Sequence, residues 1–102
     1  MSEWTFLTNH GHVLVLLSRD PRARLRDVAE AVGITERAAQ RILAELVEGG
    51  YVTRTREGRR NRYALALEQP LRHPVEREGS VGELLGALAG PPASQLARGA
   101  PA

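Results

Sequence analysis

Arg54, Arg56, Arg59, Arg60 and Arg62 fall within nine residues that hold a single acid, Glu57. Like charges crowded on one short segment repel, and the repulsion is relieved when something anionic meets them. Guanidinium is a planar fork of donors suited to phosphate oxygens, so the chemistry to expect is recognition of a polyanion. The overall balance is less telling. The formal net charge is only +2 although all 14 basic residues are arginine, a bias that GC-rich coding alone can produce. The placement of the charge carries the signal, and its total does not.

Other reactive groups are sparse. His10 and His12 stand two apart and His73 is distant in sequence. Side chains at i and i+2 on a helix point in different directions, so no two-histidine metal site is expected. With no cysteine there is no thiolate ligand, disulfide or thiol switch. No Ser/His/Asp grouping, metal-ligand cluster or phosphate-cradling glycine loop appears, which argues against an enzyme and against a bound cofactor. Trp4, Phe6, Tyr51 and Tyr63 are read as core or interface residues rather than platforms for single-stranded bases.

The arginine cluster must sit on something, and 102 residues with 42% hydrophobic content allow one compact core. The longest apolar run, Val13 to Leu17, is far short of the roughly 20 residues a membrane span requires. No signal-peptide pattern opens the chain, and a cytoplasmic location is the expectation. Thr8 or Asn9 can cap a helix that runs to about Arg19, with Asp20-Pro21 as its stop. Leu25, Val28, Ala29 and Val32 make an i, i+3, i+4, i+7 stripe that ends at Gly33, although no Ser, Thr, Asp or Asn stands at its start. Thr35 then caps a third helix, residues 35–48, striped by Ala39, Ile42, Leu43, Leu46 and Val47 before Gly49-Gly50. The period next changes to that of strands. Residues 51–56 and 62–67 alternate around a turn at Glu57-Gly58, with Tyr63, Leu65 and Leu67 on one face, which places the arginines on a β-hairpin.

If the third helix buries its stripe, Arg37, Gln40, Arg41 and Ala44 lie on its outer face. A helix fits the major groove of double-stranded DNA, where arginine can donate twice to guanine and glutamine can pair with adenine. Arg37 and Gln40 are the candidates for reading bases, and Arg41 reaches either base or backbone. Thr35 and the amides that open the helix suit a phosphate. Glu36 favours the helix dipole and repels phosphate, with cytosine N4 as a possible partner. Arg59, Arg60 and Asn61, at the hairpin tip, are further candidates for DNA contact. Arg54, Arg56 and Arg62 either meet phosphate or pair with Glu45, Glu48 or Glu57.

The order helix, helix, glycine turn, helix, basic hairpin resembles the winged helix-turn-helix regulators, particularly the multiple-antibiotic-resistance-type and arsenical-repressor-type families. The resemblance covers roughly residues 9–67. It rests on Ala29 where two helices cross, Gly33 in the turn, Ile34 against the core, Ile42 and Leu46 anchoring the third helix, and the wing-like segment Glu-Gly-Arg-Arg-Asn-Arg-Tyr at residues 57–63. It implies a mainly α fold with a β-hairpin wing: a three-helix core, a two- or three-stranded sheet and an extra C-terminal helix. It also implies a bacterial transcriptional regulator, such as a repressor, with the third helix in the major groove and the wing, residues 54–62, on the backbone or minor groove.

Beyond the hairpin, Pro70 and Pro74 bracket an extended connector. Ser80-Val81-Gly82-Glu83 has the form of a capping box opening a last short helix. Too short and glycine-rich to persist alone, this helix must dock. Its stripe Val81, Leu84, Leu85 and Leu88, with Trp4 and Phe6, is assigned to a homodimer interface, the alternative being that the helix covers its own domain. One domain over residues 1–89 and a disordered tail over residues 90–102 complete the expected organisation. Two rival functions fit the same pattern: an architectural protein that reads DNA shape, and a winged-helix module that binds protein.

Overall fold

A computed structural model describes residues 3–89; the tail expected over residues 90–102 lies outside the described residues. The elements follow in the order α1 (Asn9–Arg19), α2 (Leu25–Val32), α3 (Glu36–Glu48), β1 (Val52–Glu57), β2 (Arg60–Leu65) and α4 (Val81–Ala89). Contacts divide the chain into two units, Met1–Ala66 and Leu67–Ala102. Among the described residues no helix is long and apolar enough to cross a membrane.

In the first unit each helix begins and ends for a local reason. Thr8 caps α1 through its Oγ1, which accepts from the Gly11 amide at 3.4 Å. The uncapped start expected for α2 is resolved from the other direction: Asp27, in the first turn, accepts from the Arg24 amide at 3.4 Å. That is the reciprocal half of a capping box, supplied without a small polar N-cap. At the end of α2, Gly33 adopts φ 86°, and the amides of Gly33 and Ile34 both donate to the Ala29 carbonyl, at 2.8 and 3.0 Å. The chain turns there and restarts at once, with Thr35 Oγ1 accepting from the Ala38 amide at 3.0 Å to cap α3.

The three helices pack on one another and α1 and α3 also meet the hairpin. Val13, Leu14 and Leu17 of α1, Val28 and Ala29 of α2, and Ala39, Ile42, Leu43 and Leu46 of α3 are buried. Ile34 is only partly covered and closes the turn rather than filling the centre. Leu17, fully buried, contributes about 1.5–3 kcal/mol through its removal from water.

The sheet has two antiparallel strands, paired from Val52 opposite Leu65 to Glu57 opposite Arg60. The turn is therefore Gly58-Arg59, one residue later than the expected Glu57-Gly58. Gly58 has φ 63° and Arg59 does not have positive φ, the sign pattern of a type II′ turn, whose first central position favours glycine. The period-two alternation holds at Tyr63, which is buried, and weakens at Leu65; Leu67 lies past the strand end and is exposed. In place of a third strand, the Tyr63 amide donates to the Pro21 carbonyl at 2.8 Å, so the α1–α2 connection lies along the outer edge of β2.

The second unit corrects one expectation. The segment after Leu67 is not an extended connector: Pro70 bridges Ser80, and the Leu71 amide donates to the Gly79 carbonyl at 3.0 Å, so the chain doubles back. The predicted capping box then opens α4, with Ser80 N–H donating to Glu83 Oε1 at 2.9 Å and Glu83 N–H to Ser80 Oγ at 3.1 Å.

Replacing Gly33 with alanine meets no clash within 4 Å, so the cost is purely that of holding a Cβ at positive φ, about 1–2 kcal/mol. Urea unfolding followed by circular dichroism is expected to show a lower midpoint for Gly33→Ala, and a partial recovery for Gly33→Asn, which tolerates this conformation better.

Candidate nucleic-acid interface

The outer surface of α3 is where the sequence places it. Glu36, Arg37, Gln40, Arg41 and Ala44 are all exposed, opposite the buried Ala39, Ile42, Leu43 and Leu46. Among the described residues the side chains of Arg37 and Gln40 engage no partner within the chain. Two long donor-bearing side chains thus stand on one helix face with their hydrogen-bonding capacity intact. Thr35, at the start of the helix, already uses its oxygen to accept from the Ala38 amide, leaving its hydroxyl proton and the Glu36 and Arg37 amides for an anion. Glu36 lies in that same turn.

Arg41 is placed differently. Its Nη1 lies 3.6 Å from Glu45 Oε2, one helical turn on, and Glu45 Oε1 in turn lies 2.7 Å from His10 Nε2. The hydrogen bond from His10, followed by the Arg41 charge, holds the Glu45 carboxyl below its ordinary value. Sequence reading had offered Glu45 to the wing arginines; its partners are instead a histidine on α1 and its own helical neighbour. The His10 contact spans 35 positions, a separation at which no local pattern announces a pairing.

The wing arginines do not form one patch. Strand alternation puts Arg54, Arg56 and Asn61 on the hairpin face that also bears the buried Val52 and Tyr63, and Arg60 and Arg62 on the other, with Arg59 in the turn. Three of the five are engaged inside the chain. Arg56 Nε donates to the Gly58 carbonyl at 2.9 Å. Arg60 Nη1 donates to the Arg22 carbonyl at 3.2 Å. Arg62 pairs with Glu57 at 3.9 Å. Arg54 and Arg59 are exposed, and their side chains have no partner among the described residues. Arg59 stands in the turn itself, at the tip of the hairpin.

Sequence reading missed Arg22. It stands in the α1–α2 connection, 3.6 Å from Glu57 through its Nε, so that Glu57 lies between Arg22 and Arg62. With the Arg60 contact and the Tyr63–Pro21 hydrogen bond, this fastens the wing to the helical body at three points. Residues after a helix-stopping proline show no period, and nothing in the sequence signals that they adjoin a strand forty residues on.

Among the described residues no group of three or more His, Cys, Asp or Glu is arranged to hold a metal. Of the residues assigned to a dimer interface, Val81 and Leu85 are already buried in the single chain. Leu84 is partly covered, while Leu88, Trp4 and Phe6 are exposed, the last two in an edge-to-face pair with centroids 5.1 Å apart.

Because Glu45 binds its proton less readily when folded, its pairing stabilises the protein above the unfolded carboxyl pKa and is lost as pH falls through the lower, folded value. Thermal melts of the parent and of Glu45→Gln are expected to differ near neutral pH, the parent melting higher, and to converge as the pH falls through the lowered Glu45 value.

Residues 7–53 match the winged helix-turn-helix DNA-binding family. A search of curated protein sequences gives no significant match. Among solved structures the chain is similar to RV1404 from Mycobacterium tuberculosis, at TM-score 0.56 and 20% identity, covering 90% of this chain and 56% of that one. It is also similar to MepR, a transcription regulator of the Staphylococcus aureus multidrug efflux pump MepA, at TM-score 0.53 and 18% identity, covering 89% and 63%. A third is the zinc-responsive MarR family member ZitR of Lactococcus lactis, at TM-score 0.50 and 20% identity, covering 64% and 46%. The chain therefore spans about half to two thirds of the length of these proteins. Three packed helices, the glycine turn between α2 and α3 and the antiparallel hairpin after α3 give this chain a winged helix-turn-helix fold.

Proposed function

We propose that this chain is a sequence-specific double-stranded DNA-binding transcriptional regulator, with α3 in the major groove and the wing on the backbone or adjacent minor groove. The observation that carries this reading is the outer face of α3, where Arg37 and Gln40 stand exposed and uncommitted on a helix whose opposite face is fully spent on the core. Arg37 donates to guanine O6 and N7 and Gln40 pairs with adenine, the bidentate contacts that discriminate base pairs. Arg59 and Arg54 neutralise phosphates, which supplies affinity without sequence preference. Arg56, Arg60 and Arg62 shape the hairpin and add to its positive field, and the Asn61 amide adds an uncharged donor for the DNA backbone. Thr35 and the α3 amides take a phosphate at the helix start.

The regulator acts as a homodimer in the bacterial cytoplasm and represses its target. Support for the dimer comes from Trp4 and Phe6, two large aromatic side chains left 69% and 92% exposed, which a lone domain has no reason to present to water. On α4, Leu88 and the uncovered part of Leu84 offer apolar surface of their own to the partner, while Val81 and Leu85 are already buried. Two-fold pairing sets the recognition helices about 34 Å apart, one turn of DNA, and calls for a palindromic site.

Fluorescence anisotropy against the upstream region of the protein's own coding sequence and a random duplex, at two salt concentrations, tests the reading. Tighter, salt-dependent binding to the upstream duplex is expected. Equal salt-dependent binding would favour an architectural protein, and no binding at low salt would favour a protein-binding module. Arg37→Ala is expected to relax preference at one base pair by roughly 1–3 kcal/mol, whereas Arg59→Ala weakens all duplexes alike and makes the salt slope shallower by about one.

Sedimentation velocity is expected to show a dimer for the parent and a shift towards monomer for Phe6→Glu; a parent that sediments as a monomer at all concentrations refutes the assembly.

A further inference from the structure

We infer that Glu45 is a positioning residue for Arg41: anchored by His10 of α1, it restrains the Arg41 guanidinium on the DNA-facing side of α3 and withholds it from indiscriminate phosphate contact. This rests on the proposed DNA-binding reading and assigns within it a role to two residues that touch no DNA in that scheme. An exposed ion pair one turn apart on a helix normally makes and breaks freely, because holding two long side chains together costs rotamer entropy. Here the acidic partner is not free to wander. Glu45 Oε1 is hydrogen-bonded at 2.7 Å to His10 Nε2, a group on a different and firmly packed helix, which leaves Oε2 facing Arg41 Nη1 at 3.6 Å. Part of the ordering cost of the Arg41 pair is therefore already met by the packing of α1 against α3.

Arg41 is thereby set apart from its neighbours on the same face. Arg37, one turn earlier, has no acid holding it, and the residue one turn on from Arg37 is Arg41 itself. A helix that reads bases gains from such an arrangement. An unrestrained arginine finds a phosphate on any duplex and raises binding to all sequences alike, whereas a restrained one contributes only where the docked geometry brings an acceptor to it.

The test measures binding to a random duplex between about 50 and 200 mM salt for the full chain and five variants: Glu45→Gln, Arg41→Ala, the double variant Arg41→Ala/Glu45→Gln, His10→Ala and His10→Gln. All three positions are partly or fully solvent-exposed, and circular dichroism checks that each variant is folded. Glu45→Gln is expected to bind more tightly at low salt than the parent, with a log–log salt slope steeper by about one, so that its advantage shrinks roughly 3-fold over that salt range. In the Arg41→Ala background the same change is expected to have no effect. His10→Ala moves binding in the direction of Glu45→Gln, and His10→Gln, which keeps a donor, resembles the parent. If Glu45→Gln tightens binding equally with and without Arg41, Glu45 merely repels phosphate and the inference is wrong. If the parent binds with a salt slope and Glu45→Gln superimposes on it, the inference is wrong while the proposed function stands. A parent that binds no duplex at low salt overturns both.

Discussion

Two amide hydrogens, those of Gly33 and Ile34, converge on one carbonyl oxygen, that of Ala29. This junction ends α2, and because Thr35 caps the next helix two residues later, it leaves the chain almost no latitude in choosing the angle between α2 and α3. Ala29 is buried at the same point and is small enough to let the helices approach. The rest of the first unit follows from that angle. Once α3 is fixed, its stripe from Ala39 to Leu46 must meet the stripes of α1 and α2, its polar side must face water, and the chain must leave it at Gly49-Gly50 heading into the hairpin. A left-handed glycine thus determines which side chains are available to a partner.

The helices were legible because their boundaries are chemical and local. Thr8, Thr35 and Gly33 act within a few residues of their own position, and the stripe of α3 is a property of one continuous segment. The same holds for Ser80 and Glu83, whose reciprocal hydrogen bonds depend only on three-residue spacing. Where the reading slipped, a contact from elsewhere in the chain had taken over. The turn moved by one residue because the pairing of Val52 with Leu65, set by burial at the base of the hairpin, fixes the register at its tip. The start of α2 looked uncapped because the capping atom comes from Asp27, inside the helix rather than before it. The doubling back of residues 70–80 arises from a bridge between two segments that are each unremarkable alone.

The charged surface was legible in outline and misread in detail for a related reason. A count of arginines reveals a positive segment but not how its members are spent, since that depends on which acceptors the fold brings near. Arg56 turns back on its own hairpin, Arg60 and Arg62 are drawn to the α1–α2 connection and Glu57, and only Arg54 and Arg59 keep their full donor capacity. The hairpin's positive charge therefore has two uses. Part of it fixes the wing rigidly to the helices, through Arg22 and Glu57 as well as the Tyr63 amide, and part remains for an outside anion. A wing held in this way presents its tip at a set distance from α3, which a freely swinging hairpin would not.

Because the hairpin reverses in two residues, its length is under tighter control than its composition. A single residue inserted at Gly58-Arg59 would slip β2 by one position against β1 and exchange its two faces, carrying Arg62 towards the core and Tyr63 out to water. Insertions of two residues, or ones absorbed by a bulge, keep the faces in place. Over evolutionary time such a wing can change its reach in steps of two and its charge one residue at a time, so that descendants of this chain would differ freely in the number of arginines at the tip while sharing the parity of the loop that carries them.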